Sequence, residues 1–180
     1  MLFILMHIID SSEEHRLIEL VMEGDELAFG KLYEAYYQLV FGSIYCRIAV
    51  PDIVQDLTQD TFILAWKNIK NLRNKGKFRP WLLAISKNLC ARYFKEKAIN
   101  VRHIAMEIQD GTTFSSPMDV SFYSAIKLLN KLPKRYKLAT FLRIVEDMSY
   151  EDIARKLNIS TTSARTRVHR ALKMIKKRLK

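Results

Sequence analysis

Thr162, Ser163, Arg165, Thr166, His169, Arg170 and Lys173 fall on one side of a helical repeat, and their types are those that hold nucleic acid. Short hydroxylated side chains near the start of a helix allow close approach to a groove, and their hydroxyls can bond phosphate. Arg165 can fork onto a guanine edge, while Arg170 or Lys173 can hold the backbone. Residues 161–180 contain eight lysines or arginines, Arg167 among them, and no acid. An ordinary solvated face usually mixes signs.

Two helices must position that face. Ala164, Val168, Ala171, Leu172, Ile175 and Leu179 form an apolar stripe opposite it, so the basic segment is a packed helix and not a loose tail. Upstream, Ser149 stands three residues before Asp152, the spacing of a capping box. Ile153, Ala154 and Leu157 give a shorter helix one apolar side. The turn "NIS" places Ile159 as a buried plug and Ser160 as the N-cap of the basic helix. A short helix, a tight turn and a basic helix make the helix-turn-helix pattern.

A second basic zone lies in the middle of the chain. Residues 67–102 hold eleven bases against one acid, whereas residues 10–34 hold eight acids against two bases. The net charge of +11 over 180 residues suggests a polyanion partner, nucleic acid or an anionic membrane surface. In the central zone Lys75, Lys77, Arg79, Lys87, Arg92 and Lys95 can hold phosphates, with Asn74 and Asn88 among them. Phe78, Trp81, Tyr93 and Phe94 are candidate stacking rings. Single-stranded DNA is held by such mixtures of cations and rings. Trp81, Ile85, Leu89 and Phe94 also fit a core stripe, so both readings of the rings stand.

Between these zones and the acidic start, "DIVQDLTQDTFILAWKNI" reads as a helix with Ile53, Leu57, Leu64 and Ala65 on one side. Asp56, Gln59 and Asp60 share another side as a polar, acidic strip. A solvated face and a docking face are both open for it.

Catalysis and cofactors have little to stand on. Cys46 and Cys90 lie far apart in apolar helical patterns and read as buried thiols. The four histidines form no ligand pair at helical spacing, so no metal and no cofactor are expected. Five glycines in the chain leave little material for phosphate loops, and no nucleophile elbow occurs. The expectation is a protein that is not an enzyme. The apolar run "MLFILMHIID" is too short to span a bilayer and lacks the flanks of a signal peptide. It reads either as a packing arm or as extra residues before the working start, in a cytoplasmic protein without stable membrane insertion.

The organisation expected is all-α, with two small helical domains and a flexible linker. An arm and first helix occupy residues 1–24. A first domain covers 25–99, its long helix carrying Leu27, Ala28, Leu32, Tyr36, Leu39, Val40 and Ile44 on the apolar side. Pro51 opens the next helix and Pro80 the one after. Residues 70–78 form a loop, with Asn74 and Gly76 as turn residues. Residues 100–120 mix polar, Gly, Ser and Pro residues and read as the linker. Residues 121–180 make a second domain, with a helix opened by Pro133 and the helix-turn-helix at its end.

"DLTQDTFILAW", "FRPWLLAISKNLCARYF" and "LPKRYKLATFLRIVEDMSYEDIARKLNISTTSARTRVHRAL" occur in this order and at these separations. Together they resemble the sigma factors of bacterial RNA polymerase, specifically the small extracytoplasmic-function group of the sigma-70 family. The resemblance covers residues 25–180 apart from the linker. It implies that Asp56, Gln59 and Asp60 dock on the clamp of the largest core polymerase subunit. It implies that the 70–78 loop accepts a base flipped from the −10 element, with Trp81 and the helix behind it reading and melting that element. Residues 162–170, Arg167 included, match the −35 recognition helix, and residues 100–120 match a linker that threads toward the RNA exit path. Core RNA polymerase and promoter DNA are the implied partners, with an anti-sigma factor plausible by analogy. The chain departs from the family at Arg92, where an acid is common, at Thr162 in place of Gly and at Arg165 in place of Lys. A free-standing helix-turn-helix regulator is the rival, but it leaves the acidic strip without a role.

Overall fold

The computed structural model describes residues 9–100 and 120–178, with side chains placed for 9–97 and 122–178. The described residues contain helices and no strand, and they fall into two compact units. The first unit contains α1 (Ser11–Glu23), α2 (Glu26–Ile48), α3 (Pro51–Asn68) and α4 (Phe78–Asn100). Two short 3-10 turns, Ile69–Asn71 and Lys75–Lys77, lie between α3 and α4. The apolar N-terminal run falls outside the described residues, except for its last two.

Local chemistry sets the helix ends. The Asp10 carboxylate accepts the Ser12 N–H at 3.2 Å, and Glu13 and Glu14 complement the dipole in the first turn of α1. Gly24 closes that helix at φ 103°, in the left-handed region that glycine enters without steric cost. Asp25 then caps α2 by accepting the Ala28 N–H at 3.0 Å. Ala49 ends α2 at φ 57°, and Pro51 starts α3 at its first position.

α2 is the central helix, with α1, α3 and α4 all packed on it. Every residue from Leu39 to Cys46 is buried, as expected of a helix enclosed on all sides. Leu27, read from the sequence as core, is instead 83% exposed. The buried row of α2 runs through Ala28, Leu32, Tyr36 and Val40, and Leu27 lies one position off it in the first turn.

α3 differs from its sequence reading by a rotation. Its buried face is Val54, Leu57, Thr58, Thr61, Phe62 and Ala65, and Ile53 and Leu64 are only half-buried. Thr58 and Thr61 can occupy the core because their hydroxyls donate to Val54 O at 2.6 Å and Leu57 O at 2.7 Å. α4 begins at Phe78, two residues before Pro80, so the proline sits within its first turn. Leu82, Leu83, Leu89 and Cys90 fill the core side, while Phe94 is exposed. Cys46 and Cys90 are buried thiols, and burial pushes the Cys90 thiol above its ordinary pKa.

The second unit contains α5 (Val120–Asn130), α6 (Lys134–Ile144), α7 (Tyr150–Leu157) and α8 (Thr161–Arg178). Pro133 is the N-cap of α6. α8 packs against α5, α6 and α7 through Ala164, Val168, Ala171 and Ile175. Leu172 is half-buried, and Leu179 lies outside the described residues. Asn100 and Val120, both assigned to the linker from sequence, are the last residue of α4 and the first of α5. The rest of that stretch lies outside the described residues.

Candidate nucleic-acid interface and acidic face

The α7–α8 turn is built as its residues require. Ser149 Oγ accepts the Asp152 N–H at 3.0 Å, and its hydroxyl donates to the Asp152 carboxylate at 2.7 Å. That hydroxyl bond, with Arg155 beside it, holds the Asp152 carboxyl below its ordinary pKa. Asn158 takes the left-handed conformation at φ 50° and lets the chain reverse. Ser160 Oγ accepts the Ser163 N–H at 3.1 Å and caps α8. Ile159, expected as a buried plug, is half-buried.

On α8, Thr162, Arg165, Thr166, His169, Arg170 and Lys173 are exposed, whereas Ser163 and Arg167 are half-buried at the margins. The exposed set spans twelve residues, roughly 16 Å of helix from first to last, a length that suits a major groove about 12 Å wide. Two of its cations are already oriented. The Arg165 guanidinium lies 5.4 Å from the Tyr150 ring centroid. Arg170 donates to the Tyr136 hydroxyl and, with Arg135, holds that phenol below its ordinary pKa.

In the first unit, α4 and the end of α3 enclose a pocket of about 440 Å³. Trp81, Asn88 and Arg92 line it, as do Leu64, Asn68, Asn71, Ile85 and Leu89. Lys77, Lys87 and Lys95 are exposed, giving cations free to meet a phosphate backbone. Arg92 pairs with Glu96 at 3.6 Å, so the departure from the family pattern has a local partner. Tyr93 is half-buried with the Lys97 ammonium 5.2 Å from its ring centroid. Asn74 is exposed and uses its side chain to accept the Gly76 N–H at 3.0 Å. Lys75 is paired with Glu19 at 2.5 Å, and Arg79 lies within the electrostatic reach of Glu14 and Tyr36.

Phe78 needs correction. Its ring is fully buried, with its centroid 5.2 Å from that of Tyr36 and 5.9 Å from that of Trp81. It cannot stack on a base from that position, and its place is under the loop as an anchor. The polar pocket residues Asn68 and Asn71 were missed by the sequence reading. Their signal was weak, because a pair of asparagines at a helix end ordinarily marks a turn.

Asp56, Gln59 and Asp60 are all exposed on α3, so the acidic strip is a surface and not part of the core. Gln59 borders a groove of about 570 Å³ between α2 and α3, whose other walls are Glu26, Phe29, Tyr33, Phe62, Ile63 and Trp66. The rings interlock there, with Phe29 and Trp66 centroids 5.0 Å apart and Tyr33 and Phe62 centroids 4.6 Å apart. Ile63 on the same helix is 50% exposed. Among the described residues, no His, Cys, Asp and Glu gather into a metal-holding group, and no helix is long and apolar enough to cross a membrane.

Residues 32–98 match Sigma-70 region 2, and residues 124–175 match Sigma-70, region 4. An ECF RNA polymerase sigma-E factor of Haemophilus influenzae is 29% identical over 92% of this chain and 95% of its own length. The ECF RNA polymerase sigma factor BldN of Streptomyces coelicolor is 28% identical over 92% of this chain, which spans 66% of that relative. Among solved structures, the sigma factor RpoE of Bartonella quintana, in complex with the anti-sigma factor NepR, superposes with a TM-score of 0.52 at 20% identity. That match covers 83% of this chain and 94% of the other and shows the shared fold. With region 2 in the first helical unit and region 4 in the second, in the order the motifs require, the chain belongs to the sigma-70 family, as an extracytoplasmic-function sigma factor of RNA polymerase.

Proposed function

We propose that this sigma factor divides its work over three surfaces. The exposed strip Asp56, Gln59 and Asp60, extended by the groove beside it, docks core RNA polymerase. The α3–α4 pocket receives a base unstacked from the −10 element, with Trp81, Asn88 and Arg92 as its walls and Lys77, Lys87 and Lys95 on the phosphates. The exposed face of α8 reads the −35 duplex, Arg165 at a base edge and Lys173 on the backbone.

Chemistry supports this division. Exposed carboxylates repel DNA, so the acidic strip must face something other than the promoter. Unstacking a base costs a few kcal/mol, which a pocket with a stacking ring and amide edges can offset. The observation that carries the reading is the presence, on one helical unit, of an acidic and apolar face separate from a pocket of ring and amide walls on a helix with exposed lysines. A free-standing operator binder needs only the second of these.

The protein acts in the cytoplasm with polymerase and is an initiation factor; nucleotidyl transfer belongs to the core. The Bartonella quintana neighbour was solved with an anti-sigma factor, and a partner of that class is proposed here too. Run-off transcription with purified core polymerase over a promoter library tests the reading. Transcripts that begin downstream of one recurrent −35 and −10 pair are expected. Specific DNA binding without any core-dependent transcript would return the protein to the free-standing class.

A further inference from the structure

The acids of α1 are not used by any of the three surfaces, yet the fold brings them against the basic connection between α3 and α4. α1, from the acidic segment, lies against both 3-10 turns of the basic connection between α3 and α4. The Lys75 ammonium is 2.5 Å from a Glu19 carboxylate oxygen, across 56 residues of sequence. Nearer the start of α1, Glu14 accepts a hydrogen bond from Tyr36 and senses the charges of His15 and Arg79. Burial pushes the Glu14 carboxyl above its ordinary pKa despite those partners. The loop also touches α1 at its apex, where a Cβ on Gly76 would meet His15 Nε2 at 3.5 Å and Asn74 Oδ1 at 3.3 Å.

We propose that α1 is a brace for the −10 loop, with Glu19 as a positioning residue that fixes Lys75 and withholds its charge from indiscriminate phosphate contact. The proposal rests on the assignment of this loop and its pocket to −10 DNA. The Glu19 and Lys75 side chains remain 56% and 36% exposed, so their pair adds little to folding. Its consequence lies in binding. A lysine free to rotate gains a phosphate on any sequence, which raises affinity without reading bases. A lysine held by a carboxylate gives up that contact and keeps the loop in one shape between α3 and α4. The acids of α1 thereby exchange general affinity for base discrimination.

The test uses the full chain assembled with core polymerase, probed with single-stranded −10 oligonucleotides that vary at the unstacked base. Glu19→Gln should bind non-cognate strands roughly two- to fivefold more tightly, the range of one exposed ion pair. Its plot of log K against log salt should steepen by about 0.7, the value of one added phosphate on a single strand. Preference for the cognate base should fall. In a Lys75→Ala background, Glu19→Gln should change none of these quantities further. Wild-type salt slope and base preference in Glu19→Gln would overturn the brace, as would a full effect persisting without Lys75. Lys77→Ala with Trp81→Ala is the control for the underlying assignment. If that variant binds the cognate strand normally, the −10 assignment itself fails, whatever Glu19 does.

Discussion

The Arg165 guanidinium rests 5.4 Å from the centroid of the Tyr150 ring, so the first residue of α7 touches the arginine of α8 proposed to read a base. Arg143 lies 5.3 Å from the same centroid and donates to Met148 O at 3.1 Å, tying the ring to the turn before α7. A cation over a tyrosine ring at an exposed site is worth about 0.5–1 kcal/mol. That is enough to favour one Arg165 rotamer before DNA arrives.

Arg165→Ala should therefore cost roughly 1–3 kcal/mol on the preferred −35 duplex and relax preference at one base position. Tyr150→Leu should relax the same position with the arginine still present, and Tyr150→Phe should not. Competition binding over single-base duplex variants measures both. An unchanged base preference in Arg165→Ala would remove the base-contact assignment.

Lys173 is exposed one turn beyond His169 and lies too far along α8 to share Arg165's base. Lys173→Ala should weaken all duplexes alike and reduce the salt slope by about 1. Titrations of cognate and scrambled duplexes at several salt concentrations check this. A loss confined to the cognate duplex would make Lys173 a base reader.

The cap of α7 gives a stability prediction with a pH sign. Ser149→Ala removes the acceptor of the Asp152 N–H and should destabilise the helix-turn-helix unit by about 1 kcal/mol. The Asp152 carboxyl has a folded pKa below its unfolded value, so its contribution is present above the unfolded value of 3.8 and is lost as pH falls through the folded one. Thermal melts of wild type and Asp152→Asn between pH 7 and strongly acidic pH, as an approximate range for a lowered carboxylate, should converge at the acid end. Curves that stay parallel throughout would mean that Asp152 has the same pKa folded and unfolded.

The helix-turn-helix could be read from sequence because each of its signals is local. Ser149, Asp152, Ser160 and the stripe through Ala164 and Val168 act within one or two turns, and the fold places them where periodicity does. Leu27 and Phe78 could not be read that way. Hydropathy treats both as core, yet one lies one position off the buried row of α2 while the other plugs the space between Tyr36 and Trp81. Which of them is covered depends on the neighbouring helices. The same holds for Lys75: composition marked it as a cation, and only the return of α1 against the loop shows that its charge is already matched by Glu19. Thr58 and Thr61 broke the expected apolar face of α3 because intrahelical hydroxyl bonds allow them to be buried.

The final prediction separates a polymerase subunit from a lone DNA binder. Asp56, Gln59 and Asp60 are exposed within about one turn of α3, so one partner surface can meet all three. None belongs to the buried face of that helix, and Asp56→Lys with Asp60→Lys should leave the fold intact. The reversal places two cations where two carboxylates met a basic partner, and core binding should be abolished. Ile63→Ser probes the apolar part separately, since this side chain lines the groove and is 50% exposed. That substitution should weaken core binding without changing its salt dependence, whereas the charge reversal should change both. Pull-down with core enzyme over a salt series, beside a circular dichroism melt, reads the four quantities. A folded charge-reversal variant that binds core normally would mean that the acids are solvated surface and that docking occurs elsewhere. Loss in the Ile63 variant alone would move the docking site into the aromatic groove and leave the carboxylates as its rim.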